Sequence, residues 1–83
     1  MKQLNLTYLI TPSHGYLKIS KYDLQGIGIK EKDVCSKFSW YRNDNACYYL
    51  EEDCDMQKCI KLLKEKGYDI NLKEKLVSKW DIN

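Results

Sequence analysis

Residues 38–67, FSWYRNDNACYYLEEDCDMQKCIKLLKEKG, carry the reading on which the fold turns. Two aromatic runs, Phe38-Ser39-Trp40-Tyr41 and Ala46-Cys47-Tyr48-Tyr49-Leu50, flank Asn43-Asp44-Asn45. Aromatic side chains suit a pleated, half-buried surface, and Asn and Asp hydrogen-bond their own backbone and tolerate positive φ, so the segment predicts a β-hairpin. With Asp44 and Asn45 at the loop centre, Trp40 faces Tyr49 and Phe38 faces Glu51 on one side, while Tyr41 faces Tyr48 and Ser39 faces Leu50 on the other. A three-residue loop would instead shift the register and change the faces.

Beyond the hairpin, Glu51-Glu52-Asp53-Cys54-Asp55 leads into Met56, Cys59, Ile60 and Leu63, whose spacing of three and four makes one helical stripe. The acids fall where a helix dipole is positive, and Asp53 or Asp55 can serve as N-cap. Lys58, Lys61, Lys64 and Lys66 follow, and Gly67 supplies the stop. Pattern, caps and charge agree on the one long helix of the chain.

Towards the N-terminus, Leu4, Leu6, Tyr8 and Ile10 alternate with polar residues, predicting a strand from about Gln3 to Ile10. Thr11-Pro12-Ser13-His14-Gly15 concentrates turn formers, and Tyr16 to Ile19 resumes the alternation as a second strand, paired with the first. Ser20 is a good N-cap for a short helix ending near Gly26, and Lys30-Glu31-Lys32-Asp33 reads as a surface connection. The Gly26-Ile27-Gly28 start of a dinucleotide fingerprint lacks its third glycine and its βαβ setting, so these glycines read as helix stop and turn. Towards the C-terminus, Tyr68, Ile70 and Leu72 alternate with polar residues, predicting a strand to about Lys75 and a loosely held tail, residues 76–83, carrying Trp80. A capping box at Asn71 and Glu74, with Leu72, Leu76 and Trp80 at helical spacing, supports a rival helix there.

The order ββαββαβ predicts one α+β domain over residues 1–83, a mostly antiparallel sheet of about five strands with one long and one short helix on one face. With 83 residues the core is thin, and 43% hydrophobic residues, ten of the 83 aromatic, argue against disorder. A thin core under two helices uses about half of the rings, which leaves others for a sheet surface where aromatic residues mark contacts.

Fourteen Lys and Arg against twelve Asp and Glu leave a net charge of +2, far from that of a dedicated nucleic-acid binder. Thirteen of those cations are Lys, the residue of solvated surfaces rather than of bidentate recognition. No run is long enough to span a membrane, and the start of the chain lacks a secretory signal, so the expected location is the cytoplasm. Cys35, Cys47, Cys54 and Cys59 are then expected as free thiols. They contain no CxxC pair, so zinc is not expected, and the acids at 51–55 lack the glycine-containing spacing of a calcium loop. No cofactor is implied. His14, the single histidine, sits in a turn, where its ordinary role is a polar surface residue; nothing marks a thiol beside it as activated.

His14-Gly15-Tyr16-Leu17-Lys18-Ile19, together with Tyr49-Leu50-Glu51-Glu52-Asp53-Cys54-Asp55, resembles a group of small uncharacterised proteins encoded by bacteriophages, plasmids and the bacteria that carry them. The likeness runs from about Thr11 to Glu74 and departs in the Lys-rich tail. It implies a mobile-element accessory protein and no mechanism. The residues themselves lead to a non-enzymatic, cytoplasmic interaction or regulatory module that meets another protein, or a second copy of itself, through His14, Tyr41, Tyr48, Glu52 and Asp53. Clustered acids would steer the encounter and rings would anchor it. The alternative is single-stranded nucleic-acid binding, with Tyr and Trp stacking on bases and Lys following phosphates. A third reading, a small enzyme or metal site, centres on His14 with a cysteine or acid.

Overall fold

The structure, a computed structural model, describes residues 2–36 and 39–77. Alternation in the N-terminal segment gives strands β1 (Lys2–Ile10) and β2 (Gly15–Ser20), joined by a turn in which Thr11 is tied three times to His14, once through its own amide, which donates to the His14 carbonyl at 2.8 Å. The His14 amide donates to Thr11 Oγ1 at 2.9 Å, and the Thr11 hydroxyl donates to the His14 carbonyl at 2.7 Å. Ser20 then caps α1 (Lys21–Ile27), accepting from the amides of Tyr22 and Asp23 at 3.0 and 3.4 Å. The stop is Gly28, at φ 92° in the left-handed region that glycine enters without a Cβ penalty, rather than Gly26, which lies inside the last turn.

The predicted surface connection is a short 3₁₀ turn, Glu31–Asp33, but it is bracketed by apolar residues that the charge pattern hid: Ile29 and Val34 are both buried. The hairpin follows as β3 (Trp40–Arg42) and β4 (Cys47–Glu51), with Trp40 opposite Tyr49 and Tyr41 opposite Tyr48, the register expected from a loop centred on Asp44 and Asn45. The pairing of Phe38 with Glu51 lies outside the described residues. Positive φ falls on Ala46, at 54°, rather than on an Asn; Asn45 instead uses its side-chain oxygen to accept the Cys47 amide at 3.1 Å.

Helix α2 (Asp55–Glu65) leads to β5 (Tyr68–Leu76), with Gly67 at φ 90° making the turn. The strand reading of 71–76 prevails over the helical one, and Leu76 belongs to the strand. Val77 is buried and donates its amide to the Ile10 carbonyl at 2.9 Å, so the chain is still held past the expected start of the tail. Trp80 and the rest of the tail lie outside the described residues.

The fold is α+β, with a five-stranded sheet in the order β3-β4-β2-β1-β5. Pairings within β3-β4-β2-β1 are antiparallel, and β5 lies parallel to β1 over nine residue pairs. A parallel neighbour requires a crossover, which α2 supplies. Leu24 of α1 and Met56, Cys59 and Leu63 of α2 share a core with Leu6, Leu17, Ile19, Tyr48 and Leu50, so both helices cover the same sheet face. On the opposite face Leu9, Tyr16, Tyr49 and Val77 form a second, smaller cluster.

That second cluster corrects the expectation of an exposed aromatic sheet. Tyr16 and Tyr49 are buried on the face away from the helices, Tyr48 is buried beneath the helices, and Tyr8, Tyr41 and Tyr68 are half-buried. Among the described Tyr and Trp rings only Tyr22, at 66%, and Trp40, at 40%, are substantially exposed.

Candidate functional site

The acidic segment 51–55 was expected to serve the dipole of α2, and most of it does something else. Cys54, not an Asp, occupies the N-cap position, and its side chain makes no capping hydrogen bond. Asp55 is fully buried at the first position of the helix. Its Oδ2 accepts the Ser36 amide at 2.8 Å, the Ser36 hydroxyl at 2.7 Å and the Ser39 hydroxyl. Its Oδ1 accepts no hydrogen bond and has the Lys58 ammonium at 3.4 Å. Burial alone would push this carboxyl up, but the Ser39 and Ser36 donors, with Lys58 behind them, hold it below the usual carboxylate range.

Glu51 and Glu52 are likewise committed. Glu51 is buried and its Oε2 accepts the Asp53 amide at 2.9 Å, which closes the turn into α2. Glu52 reaches back to β1, where it accepts a short hydrogen bond from the Tyr8 hydroxyl. That bond, followed by burial and the Glu52 charge, pushes Tyr8 up to about 12. The Tyr8 ring lies over Gly15, where an added Cβ would stand 2.2 Å from the Tyr8 hydroxyl oxygen and 2.8 Å from Glu52 Oε2. Gly15 is therefore required by close approach. The glycine in the predicted turn thus has a steric partner 7 residues upstream, which no local pattern reveals.

At this end of the sheet, His14, Tyr16, Glu51, Asp53 and Cys54 line a shallow cleft of about 370 Å³. It joins the β1–β2 turn to the β4–α2 turn, two segments about 40 positions apart in sequence. His14 packs edge-on to Tyr16, ring centroids 6.3 Å apart. Burial raises the Tyr16 hydroxyl above its ordinary value, offset in part by a hydrogen bond with Trp40 and reinforced by Glu51. Asp53, Cys54 and His14 are exposed at the rim.

Of the five residues singled out from sequence, His14 and Asp53 meet in this cleft and Glu52 stands next to it. Tyr41 and Tyr48 do not. Their rings pack 4.7 Å apart on the helix-covered face, and Tyr48, only 6% exposed, lines a different cleft with Leu24, Ile29 and Glu31. Burial and the neighbouring Glu31 carboxylate push the Tyr48 hydroxyl up to about 12. Tyr16, Glu51 and Cys54 were missed as cleft residues. The signal for Tyr16 is available, since it sits two residues beyond His14 at the start of the strand after the turn.

All four cysteines are free thiols, spread from exposed Cys54 to buried Cys59, whose thiol burial pushes up to about 12. Among the described residues, no three His, Cys, Asp or Glu side chains come together as a metal site. No described helix is long and apolar enough to cross a membrane. No protein-family model, curated protein or solved structure matches this chain.

Proposed function

We propose that this protein is a non-enzymatic, cytoplasmic interaction module of mobile-element origin that docks a basic segment of another protein at the acidic end of its sheet. The observation that carries this reading is the cleft itself: exposed His14 and Asp53, from separate turns, meet over the buried ring of Tyr16. Aromatic floor and charged rim are the two ingredients of a small recognition surface. A catalytic reading has less behind it, because Glu51 and Glu52 are engaged by the Asp53 amide and the Tyr8 hydroxyl.

The test is capture from a bacterial lysate, followed by binding of the purified partner to wild type, Asp53→Lys and His14→Ala proteins. Loss of about tenfold or more in affinity with unchanged melting temperature supports the cleft, whereas equal binding by all three sinks it.

A second reading has its own support on the face opposite the helices. The register places Lys18, Arg42, Lys73 and Lys75 on that face with Trp40, although Tyr16 and Tyr49 beside them are too buried to stack on bases. Fluorescence anisotropy with labelled single strands decides it. Binding whose logarithm falls with log salt by about 0.7 per phosphate contacted supports nucleic-acid recognition, and no binding at low salt removes it.

A further inference from the structure

The two edges of the sheet are unlike. Strand β3 presents three residues, while β5 presents nine, paired to β1 without a bulge or a proline. Among the described residues, nothing pairs with the outer side of β5. A long, unblocked edge carries a row of unsatisfied backbone donors and acceptors and is a template for another strand. It also carries two of the four large apolar side chains exposed among the described residues, Leu72 at 37% and Leu76 at 81%.

We propose that two copies of this chain join through β5, their edges pairing antiparallel about a two-fold axis at Leu72 to make one continuous ten-stranded sheet. The sequence of β5, YDINLKEKL, is complementary to itself in that register except where Ile70 meets Glu74 of the second copy. Leu72 meets Leu72, and Tyr68 meets Leu76 of the second copy, so both exposed leucines gain an apolar neighbour directly across the junction. On the other face Asp69 meets Lys75 of the second copy, twice by symmetry, and Asn71 meets Lys73. Opposite charges and apolar pairs directly across an antiparallel ladder each contribute, and a two-fold axis doubles every such pair.

Other registers are poorer. A shift by one residue sets each helix-side chain against the opposite face. Centring on Lys73 places like charges against each other, and centring on Asn71 pairs only residues 68–74 and leaves Leu76 exposed. Lysine on an edge ordinarily discourages association, but here Lys75 has a carboxylate waiting for it. This surface lies on the opposite side of the sheet order from β3 and does not depend on the cleft at His14.

Sedimentation velocity from roughly 10 μM to 1 mM tests the proposal, with the expected result a concentration-dependent monomer–dimer equilibrium. Asp69→Lys should weaken dimerisation tenfold or more, and Leu72→Lys should abolish it, with the circular dichroism and melting temperature of the monomer retained. Adding Lys75→Asp to Asp69→Lys should restore the dimer. Four results would overturn the proposal: a monomer throughout, a dimer indifferent to both substitutions, rescue by Lys73→Asp in place of Lys75→Asp, or a larger assembly that persists in Leu72→Lys.

Discussion

Replacing Asp55 by Asn tests a fully buried carboxylate that accepts three hydrogen bonds. Asp55 Oδ2 takes three hydrogen bonds from Ser36 and Ser39, and these fasten the approach to β3 onto the first turn of α2. The same Ser39 hydroxyl oxygen accepts the Glu51 amide at 3.1 Å, so the carboxylate also reaches the end of β4 through one intermediary. Hydrogen bonds to a charged group contribute about 1.5–3 kcal/mol each, against about 1 for neutral ones. Asn keeps the shape and one acceptor, so the loss is the charge assistance on three bonds plus the Lys58 contact, about 2–4 kcal/mol in all. At about 4–8 °C per kcal/mol for a domain of this size, the melting temperature should fall by at least 8 °C.

The pH dependence separates charge from shape. Because the folded carboxyl titrates below its ordinary value of 3.8, the native state binds fewer protons than the unfolded chain in the window between the folded value and the ordinary one. Its contribution is then complete above the ordinary value and is lost as the pH falls through the folded one. Urea denaturation at pH 7 and at successively lower pH should show wild type and Asp55→Asn converging in acid. A variant within 0.5 kcal/mol of wild type at pH 7, or a gap that does not shrink in acid, would refute the reasoning.

Gly15→Ala should cost about 1–3 kcal/mol and release Tyr8 from Glu52, read as a fall in one tyrosine's pKa towards 10.0 by ultraviolet titration. With Tyr8 and Tyr48 both raised to about 12 in the folded protein, stability should be intact below pH 10 and decline between about 10 and 12, a decline reduced in Tyr48→Phe. Ala46→Gly should raise stability by about 0.5–1 kcal/mol in urea, since φ of 54° is unfavourable for a side chain bearing Cβ. Thiol labelling of the native protein should begin at exposed Cys54 and spare Cys59, which reacts only on unfolding; equal rates would contradict the packing of α2.

What was legible from sequence follows the range of the physics involved. Hairpin register was legible because turn chemistry at Asp44 and Asn45 acts locally, and the α2 stripe because Met56, Cys59 and Leu63 repeat on one helical face. The α+β order followed from those periods. The position of β5 beside β1 did not, because a strand alternates in the same way whichever neighbour it finds; Tyr68–Leu76 carries no mark of parallel pairing.

The site is less legible. The choice of Tyr41 and Tyr48 rests on an excess of rings over places in the core, which assumes a sheet with only one buried face. The face away from the helices instead gathers Leu9, Tyr16, Tyr49 and Val77 into a cluster of its own, and this accounts for two of the surplus rings. The acids misled for a related reason: their crowding suggested a charged surface, whereas Glu52 and Asp55 are held by Tyr8, Ser36 and Ser39, donors far away in sequence. Once those long-range bonds are assigned, the acidic end of the sheet is reduced to Asp53 beside His14. Any recognition there must therefore rest on a few exposed atoms over a rigid floor, and a single charge reversal at Asp53 should reveal it without disturbing the fold.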